Sequence, residues 1–257
     1  MSISVQNISY SVNNKQILKD ISFEFSTNEL LVVLGPNGSG KSTLINVVAG
    51  DYNLNLGKIL YDNICLSKIN IQDRAKLRCV MSQSSYIVFN YKVFEILEMG
   101  WIRDLQIQIS PNYKDILNEV IKECEIENLL YREFNTLSGG EQRRVHFART
   151  LIQLYSYSYD NTNQYIFLDE PTANLDLPHE ISLIKILKKL SRKGFGVLLV
   201  LHDLNLAYNF ADKIILLKNG QLAHYGAPKQ IYNDKYLSEV YNIPIVVDEE
   251  KKRINYY

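Results

Sequence analysis

No stretch of this 257-residue chain approaches the roughly 18–20 consecutive apolar residues needed to span a bilayer. Cysteine is scarce: Cys65, Cys79 and Cys124 are scattered, odd in number and form no CxxC pair. Neither a disulfide framework nor a zinc site is indicated, and buried, reduced thiols of a cytoplasmic protein are expected. An excess of either charge is missing too, with 28 Lys and Arg against 28 Asp and Glu. A nucleic-acid partner held by a broad basic face is therefore not expected. The opening Met1-Ser-Ile-Ser-Val-Gln-Asn7 lacks a basic segment followed by an apolar one, so no secretory signal is expected. No internal repeat or low-complexity linker is visible. What remains is 46% hydrophobic and 22% charged, an ordinary globular composition long enough to bury a substantial core.

The hydrophobic pattern changes period along the chain. Ser2 to Phe25 alternates and is rich in Ile, Val, Phe and Tyr, which predicts antiparallel strands. Leu30–Leu34 is a continuous apolar run ending at a glycine, as in a strand buried on both faces. A helix is predicted from about Gly40 to Ala49, and Val80–Ser82 reads as the end of another strand. From about Tyr91 to Tyr159 helical periods take over, predicting a mostly helical subdomain inserted into the sheet. Strand signals return at Tyr165–Leu168 and Val197–Leu201, with a helix over Pro178–Leu190 between them. Ala211–Leu217 and Gln221–Tyr225 flank Asn219-Gly220, a type I′ hairpin signal. Ser156–Asn163 is polar and predicts an exposed loop, and the tail from Ile243 predicts a small hairpin.

Gly35-Pro-Asn-Gly-Ser-Gly-Lys41-Ser42-Thr43 fits G-x-x-x-x-G-K-[ST], the phosphate-binding loop. Glycines at 35, 38 and 40 let backbone N–H groups approach phosphates closely, and the helix that follows points its positive end at them. Lys41 is placed to reach the β and γ phosphates and Ser42 to put its hydroxyl on Mg²⁺. Asp169 ends a four-residue apolar strand, where a carboxylate meets the metal from the other side. Glu170 follows it and is placed to deprotonate an attacking water. His202 ends the next buried strand. Ligands of open parallel sheets bind at the strands' carboxyl ends, so the loop, the carboxylates and His202 are expected to converge. His146, His179 and His224 show no paired ligand spacing and are read as surface or packing residues.

Leu137-Ser-Gly-Gly-Glu141 lies about a hundred residues after the phosphate loop and about thirty before Phe167-Leu-Asp169-Glu170. Segments in this order resemble the ATP-binding subunits of ABC transporters, over nearly the whole chain. The resemblance implies an ABC ATPase fold: an α/β P-loop NTPase (RecA-like) core with an N-terminal antiparallel β subdomain and an inserted α-helical subdomain. Residues 1–90 and 162–257 would form the core and 91–161 the helical part. It implies that Gly35, Pro36, Asn37, Gly38, Ser39, Gly40, Lys41, Ser42 and Thr43 bind ATP as Walker A. Asp169 and Glu170 then close Walker B, with Glu170 the catalytic carboxylate. Gln83 matches the Q-loop glutamine that reaches Mg²⁺ with Ser42 and Asp169, and His202 matches the switch histidine. Ser138, Gly139, Gly140 and Glu141 match the signature motif that caps the ATP of a second subunit, on a helix expected to start at Glu141. Asp176 belongs to the D-loop. The family's adenine-stacking aromatic falls at Val12 here, and Tyr10, two residues earlier, is the substitute expected.

The resemblance further implies an ATPase working as a nucleotide-sandwich homodimer on the cytoplasmic face of the plasma membrane. Its implied partners are two transmembrane permease subunits, touched by Ser84–Glu98, and an external substrate-binding protein. Arg78–Gln83 with Val93–Gly100 looks like the iron-chelate and cobalamin importer group. Leu137–Leu154, followed by the intervening Tyr155–Gln164, resembles its haemin-import branch. Ferric siderophore or cobalamin is the alternative cargo. A non-transport ABC ATPase is the alternative class, disfavoured because the chain has neither a second tandem domain nor a long coiled-coil insertion.

Overall fold

A computed structural model of the chain describes residues 1–83, 87–101, 113–157, 164–248, 250 and 253–256. Two long strands open it, β1 (Ser2–Val12) and β2 (Lys15–Ser26), followed by β3 (Leu30–Leu34) and the helix α1 (Lys41–Ala49). Next come β4 (Leu56–Tyr61), β5 (Ile64–Cys65), α2 (Ile71–Leu77) and β6 (Arg78–Met81). The helices α3 (Val93–Glu98), α4 (Tyr113–Glu123) and α5 (Gly139–Tyr157) lead to β7 (Tyr165–Leu168). Then follow α6 (Leu177–Arg192), β8 (Gly196–Val200), α7 (Leu204–Phe210), β9 (Lys213–Lys218) and β10 (Gln221–Gly226). Two short helices, α8 (Pro228–Ile231) and α9 (Asp234–Tyr241), and the hairpin β11 (Ile245–Asp248) and β12 (Arg253–Tyr256) finish the chain.

One sheet runs β10-β9-β3-β8-β7-β6 and a second runs β2-β1-β4-β5. In the first, β3 pairs in parallel with β8 and β9, and β7 in parallel with β6 and β8. Every residue of β3, β7 and β8 is buried, as strands covered on both faces must be. Alternation divides their side chains between two cores. Leu30, Val32, Leu34, Ile166 and Leu168 pack with residues of α3 to α6. Leu31, Val33, Phe167 and Leu198 pack with α1 and the antiparallel sheet. The parallel strands therefore all end at one edge, where the loops after β3, β6, β7 and β8 emerge.

Several sequence expectations shift by a residue or two, and two shift for a clear reason. The helix expected from Glu141 starts at Gly139. Glu141 N donates to Ser138 Oγ (3.3 Å) while Ser138 N donates to Glu141 Oε2 (2.8 Å). This reciprocal capping box overcomes the low helix propensity of Gly139 and Gly140. The loop expected from Ser156 begins later, because α5 continues to Tyr157 and buries Ser156. The remainder of that loop, 158–163, lies outside the described residues. Two elements carried no strong signal. β4 begins with three exposed residues, and α2 buries none, so neither shows a periodic apolar stripe.

The predicted hairpin turn has Asn219 at φ 49° and Gly220 at φ 75°, both left-handed as type I′ requires. It also braces the phosphate loop. Gly220 N donates to Ser39 O (3.0 Å), and Gly220 O accepts from Lys19 N (2.8 Å). A Cβ at Gly220 would lie 2.1 Å from Ile17 O. Gly220→Ala therefore strains both the turn and its seat on β2. The expected loss is roughly 1–3 kcal/mol, read as a lower urea midpoint at an unchanged slope. An unshifted midpoint would contradict the brace.

Candidate functional site

The phosphate loop leaves β3 at Gly35 and folds over the start of α1. Gly35 has φ 151° and Gly40 φ 101°, and a Cβ on Gly35 would lie 2.1 Å from Leu217 O. Backbone thus passes where no side chain fits. Pro36, Asn37 and Gly38 form the open rim of the loop, and nothing lies within 4 Å of a Cβ built on Gly38. Lys41 and Thr43 stand in the first turn of α1. Lys41 is only 5% exposed, and its Nζ donates to Gly35 O (2.9 Å) and Pro36 O (3.0 Å). Burial lowers the ammonium's pKa, while the nearby Glu170 and Asp169 carboxylates pull it back up.

Four loops meet here. Ser42 Oγ donates to Asp169 Oδ1 (3.1 Å), joining the loop after β3 to the end of β7. Asp169 N donates to Met81 O (2.8 Å), which ties that end to β6. Burial raises the Asp169 pKa, and the neighbouring Glu170 adds to this, against the pull of Ser42, Arg143 and Lys41. Glu170 has φ 49°, a left-handed conformation uncommon for a residue with a side chain. Its Oε2 accepts from Gln83 Nε2 (2.8 Å) and its Oε1 from His202 Nε2 (2.7 Å). The expected convergence of Lys41, Ser42, Gln83, Asp169, Glu170 and His202 is what the geometry contains.

These groups fit a magnesium triphosphate. Ser39 Oγ is buried in the loop without a protein partner, a hydroxyl available to a ligand. A hydroxyl, a carboxylate and an amide oxygen are hard donors of the type Mg²⁺ prefers. Two carboxylates held side by side also favour a cation between them.

The signature residues lie elsewhere. Ser138, Gly139, Gly140, Asn174, Asp176 and His179 line a cleft of about 490 Å³ that takes in no Walker A residue. Gly140 faces Asn174, since a Cβ there would lie 2.9 Å from Asn174 O. Asp176 caps α6 by accepting from His179 N (3.3 Å) and also pairs with the His179 ring, which lowers the Asp176 pKa. His179 is thus a D-loop partner, where the sequence suggested surface or packing. His146 meets Phe134 edge-on and His224 stacks on Tyr236, both as packing residues.

Tyr10 departs from its expected role. Its ring is stacked on Tyr52 (centroids 5.5 Å apart, planes at 14°). Tyr52 follows the end of α1 opposite the phosphate loop, with its N–H donating to Asn46 O (3.2 Å). One face of Tyr10 is therefore spent on a neighbour, which removes the reason for assigning it to adenine. Val12 is 44% exposed and offers no ring.

Arg143, on α5, was not singled out in the sequence. It is 7% exposed and donates to Gln83 O (2.8 Å), Asp169 O (2.6 Å), Pro171 O (3.3 Å), Ser82 O (3.4 Å) and Glu170 O. The available signal was a cation four residues before the buried Phe147 on the same helix face.

Comparison with known proteins agrees with this geometry. Residues 18–173 match the family model described as ABC transporter. The hemin import ATP-binding protein HmuV of Pseudoalteromonas translucida (strain TAC 125) is 35% identical over 241 residues, 94% of this chain and 92% of that protein. HmuV of Hahella chejuensis (strain KCTC 2396) is 37% identical over 231 residues, 90% and 89% of the two chains. Among solved structures, the dimeric post-hydrolysis state of an ATP-binding cassette bound to ADP and Pi is 26% identical. It superposes with a TM-score of 0.75 over 88% of this chain and 98% of that one.

Proposed function

This chain belongs to the ABC transporter family, and from that premise we propose that it is the ATP-hydrolysing subunit of an importer that carries haemin across the plasma membrane. The observation that carries the ATPase reading is Glu170 held between Gln83 and His202, beside the Ser42–Asp169 pair and Lys41. Backbone N–H groups of Gly35–Thr43 cradle the triphosphate, and Lys41 turns from the carbonyls of Gly35 and Pro36 to the β and γ phosphates. Ser42, Asp169 and Gln83 hold Mg²⁺, which neutralises charge on the phosphates when bound. Glu170 takes a proton from the attacking water, and His202 contacts the γ-phosphate and steadies the Glu170 carboxylate. Residues 1–90 and 162–257 act as the catalytic core, and 91–161 as the helical signature part.

The second half of each site comes from a second copy. The separate cleft of Ser138, Gly139, Gly140 and Asp176 supports this, because it presents donors that no Walker A residue of the same chain lines. ATP bound between two copies then holds them together, and hydrolysis lets them part.

No helix among the described residues is long and apolar enough to cross a membrane, so membrane attachment runs through two permease subunits on the cytoplasmic side. Val88 and Phe89, 83% and 69% exposed, follow Gln83 closely and suit docking of a permease helix. Within the Ser84–Glu98 contact segment, 84–86 lie outside the described residues. An external substrate-binding protein delivers the cargo.

The likeness to hemin import proteins along nearly the whole chain carries the choice of cargo. Reconstitution in proteoliposomes with the co-encoded permease and binding protein tests it. ATP-dependent uptake of haemin, without uptake of a ferric siderophore or cobalamin, is expected. Uptake of either of those in place of haemin would reject the cargo, and uptake of none would reject transport coupling.

A further inference from the structure

A guanidinium buried to 7% exposure normally meets a carboxylate. Arg143 instead spends its donors on main-chain oxygens of two separate loops: Ser82 and Gln83 after β6, and Asp169, Glu170 and Pro171 after β7. Its charge is answered at longer range by the Asp169 and Glu170 carboxylates, which oppose the lowering of its pKa by burial. The contacts fall where the backbone most needs them. Glu170 sits at φ 49°, and such strain persists only where surrounding contacts over-determine it. Two successive carbonyls, those of Asp169 and Glu170, are fastened to one Nη2 atom.

We propose that Arg143 is a positioning residue that fastens the hydrolytic turn and the Gln83 loop to the signature helix. Through it, a displacement of α5 moves Glu170 and Gln83 as one frame. The planar fork is required: a lysine offers three donors from a single atom and cannot hold oxygens on both loops at once. The inference rests on the reading of Glu170 as the catalytic base.

The test uses the full chain and compares Arg143→Met and Arg143→Lys, each alone and with Glu170→Gln. Steady-state and single-turnover hydrolysis are read beside ATP affinity. Arg143→Met is expected to lower kcat on the order of 100-fold with ATP affinity almost unchanged, since a misplaced base costs about that much. Arg143→Lys is expected to fall between, and Arg143→Met to add little once Glu170 is already Gln. A wild-type kcat for both Arg143 variants beside an inactive Glu170→Gln would overturn this proposal alone. So would a loss fully additive with Glu170→Gln, or a loss confined to KM. If Arg143→Met fails to fold, Arg143→Lys decides by the same criteria. Unchanged hydrolysis in Glu170→Gln would instead overturn the reading of Glu170 on which the inference stands.

Discussion

Glu170→Gln lowers steady-state ATP hydrolysis by about 10²–10⁴-fold, the usual worth of a general base, with ATP affinity nearly unaltered. The geometry separates the two effects. Glu170 touches Gln83 and His202, whereas the hydroxyl of Ser42 is held by Asp169 and the ammonium of Lys41 by carbonyls of the loop. Glutamine keeps the shape of glutamate but has one carbonyl oxygen in place of two carboxylate oxygens. It can accept from either Gln83 or His202, and its NH₂ then faces the other. It also cannot take a proton from water at neutral pH. The variant should bind ATP, close on a second copy and remain closed. Light scattering with ATP and Mg²⁺ is expected to show a persistent dimer, with the dimer population of wild-type protein falling as ATP is consumed. Hydrolysis at the wild-type rate would remove Glu170 from its role, however tightly the nucleotide bound.

How much of this was legible beforehand depended on whether a residue's neighbours are local. The P-loop, the Asp169–Glu170 strand end and His202 are read from short windows, because each sits where an all-apolar strand stops. The parallel order of those strands then brings the windows together at one edge. The Asn219-Gly220 turn was equally readable, since its left-handed dihedrals are a property of two adjacent residues. What it braces was not, because the Gly220–Ser39 bond joins residues far apart in sequence.

Arg143 failed to stand out for the same reason. Its partners are main-chain oxygens, which carry no residue identity, so no side-chain pattern announces them. The start of α5 was misread because two glycines argue locally against helix, while the Ser138–Glu141 capping box outweighs them. Tyr10 illustrates the opposite error. A register with the β1–β2 strands selected it, but Tyr52, which arrives from beyond α1, already covers its ring.

Lys41→Ala removes nucleotide binding at concentrations that saturate the wild type. The expected weakening is about 30- to 4,000-fold, because deleting one member of a buried charge pair with phosphate costs about 2–5 kcal/mol. Fold and ligand effects can be told apart. In the protein alone, the ammonium's two bonds go to neutral carbonyls, and burial already disfavours its charge. Losing those bonds and relieving that burial cost act in opposite directions, so nucleotide-free stability should change little. The ligand's contribution should collapse. At an ATP concentration of 100 times the wild-type Kd, binding stabilises the fold by about 2.7 kcal/mol. If the Kd rises 100-fold, that falls to about 0.4 kcal/mol by the same relation. Thermal unfolding with and without ATP, beside a fluorescence titration, measures both quantities. An ATP-induced rise in Tm equal to that of the wild type would show that the phosphates are held without Lys41. The loop from Gly35 to Thr43 would then need another source of positive charge than the one buried within it.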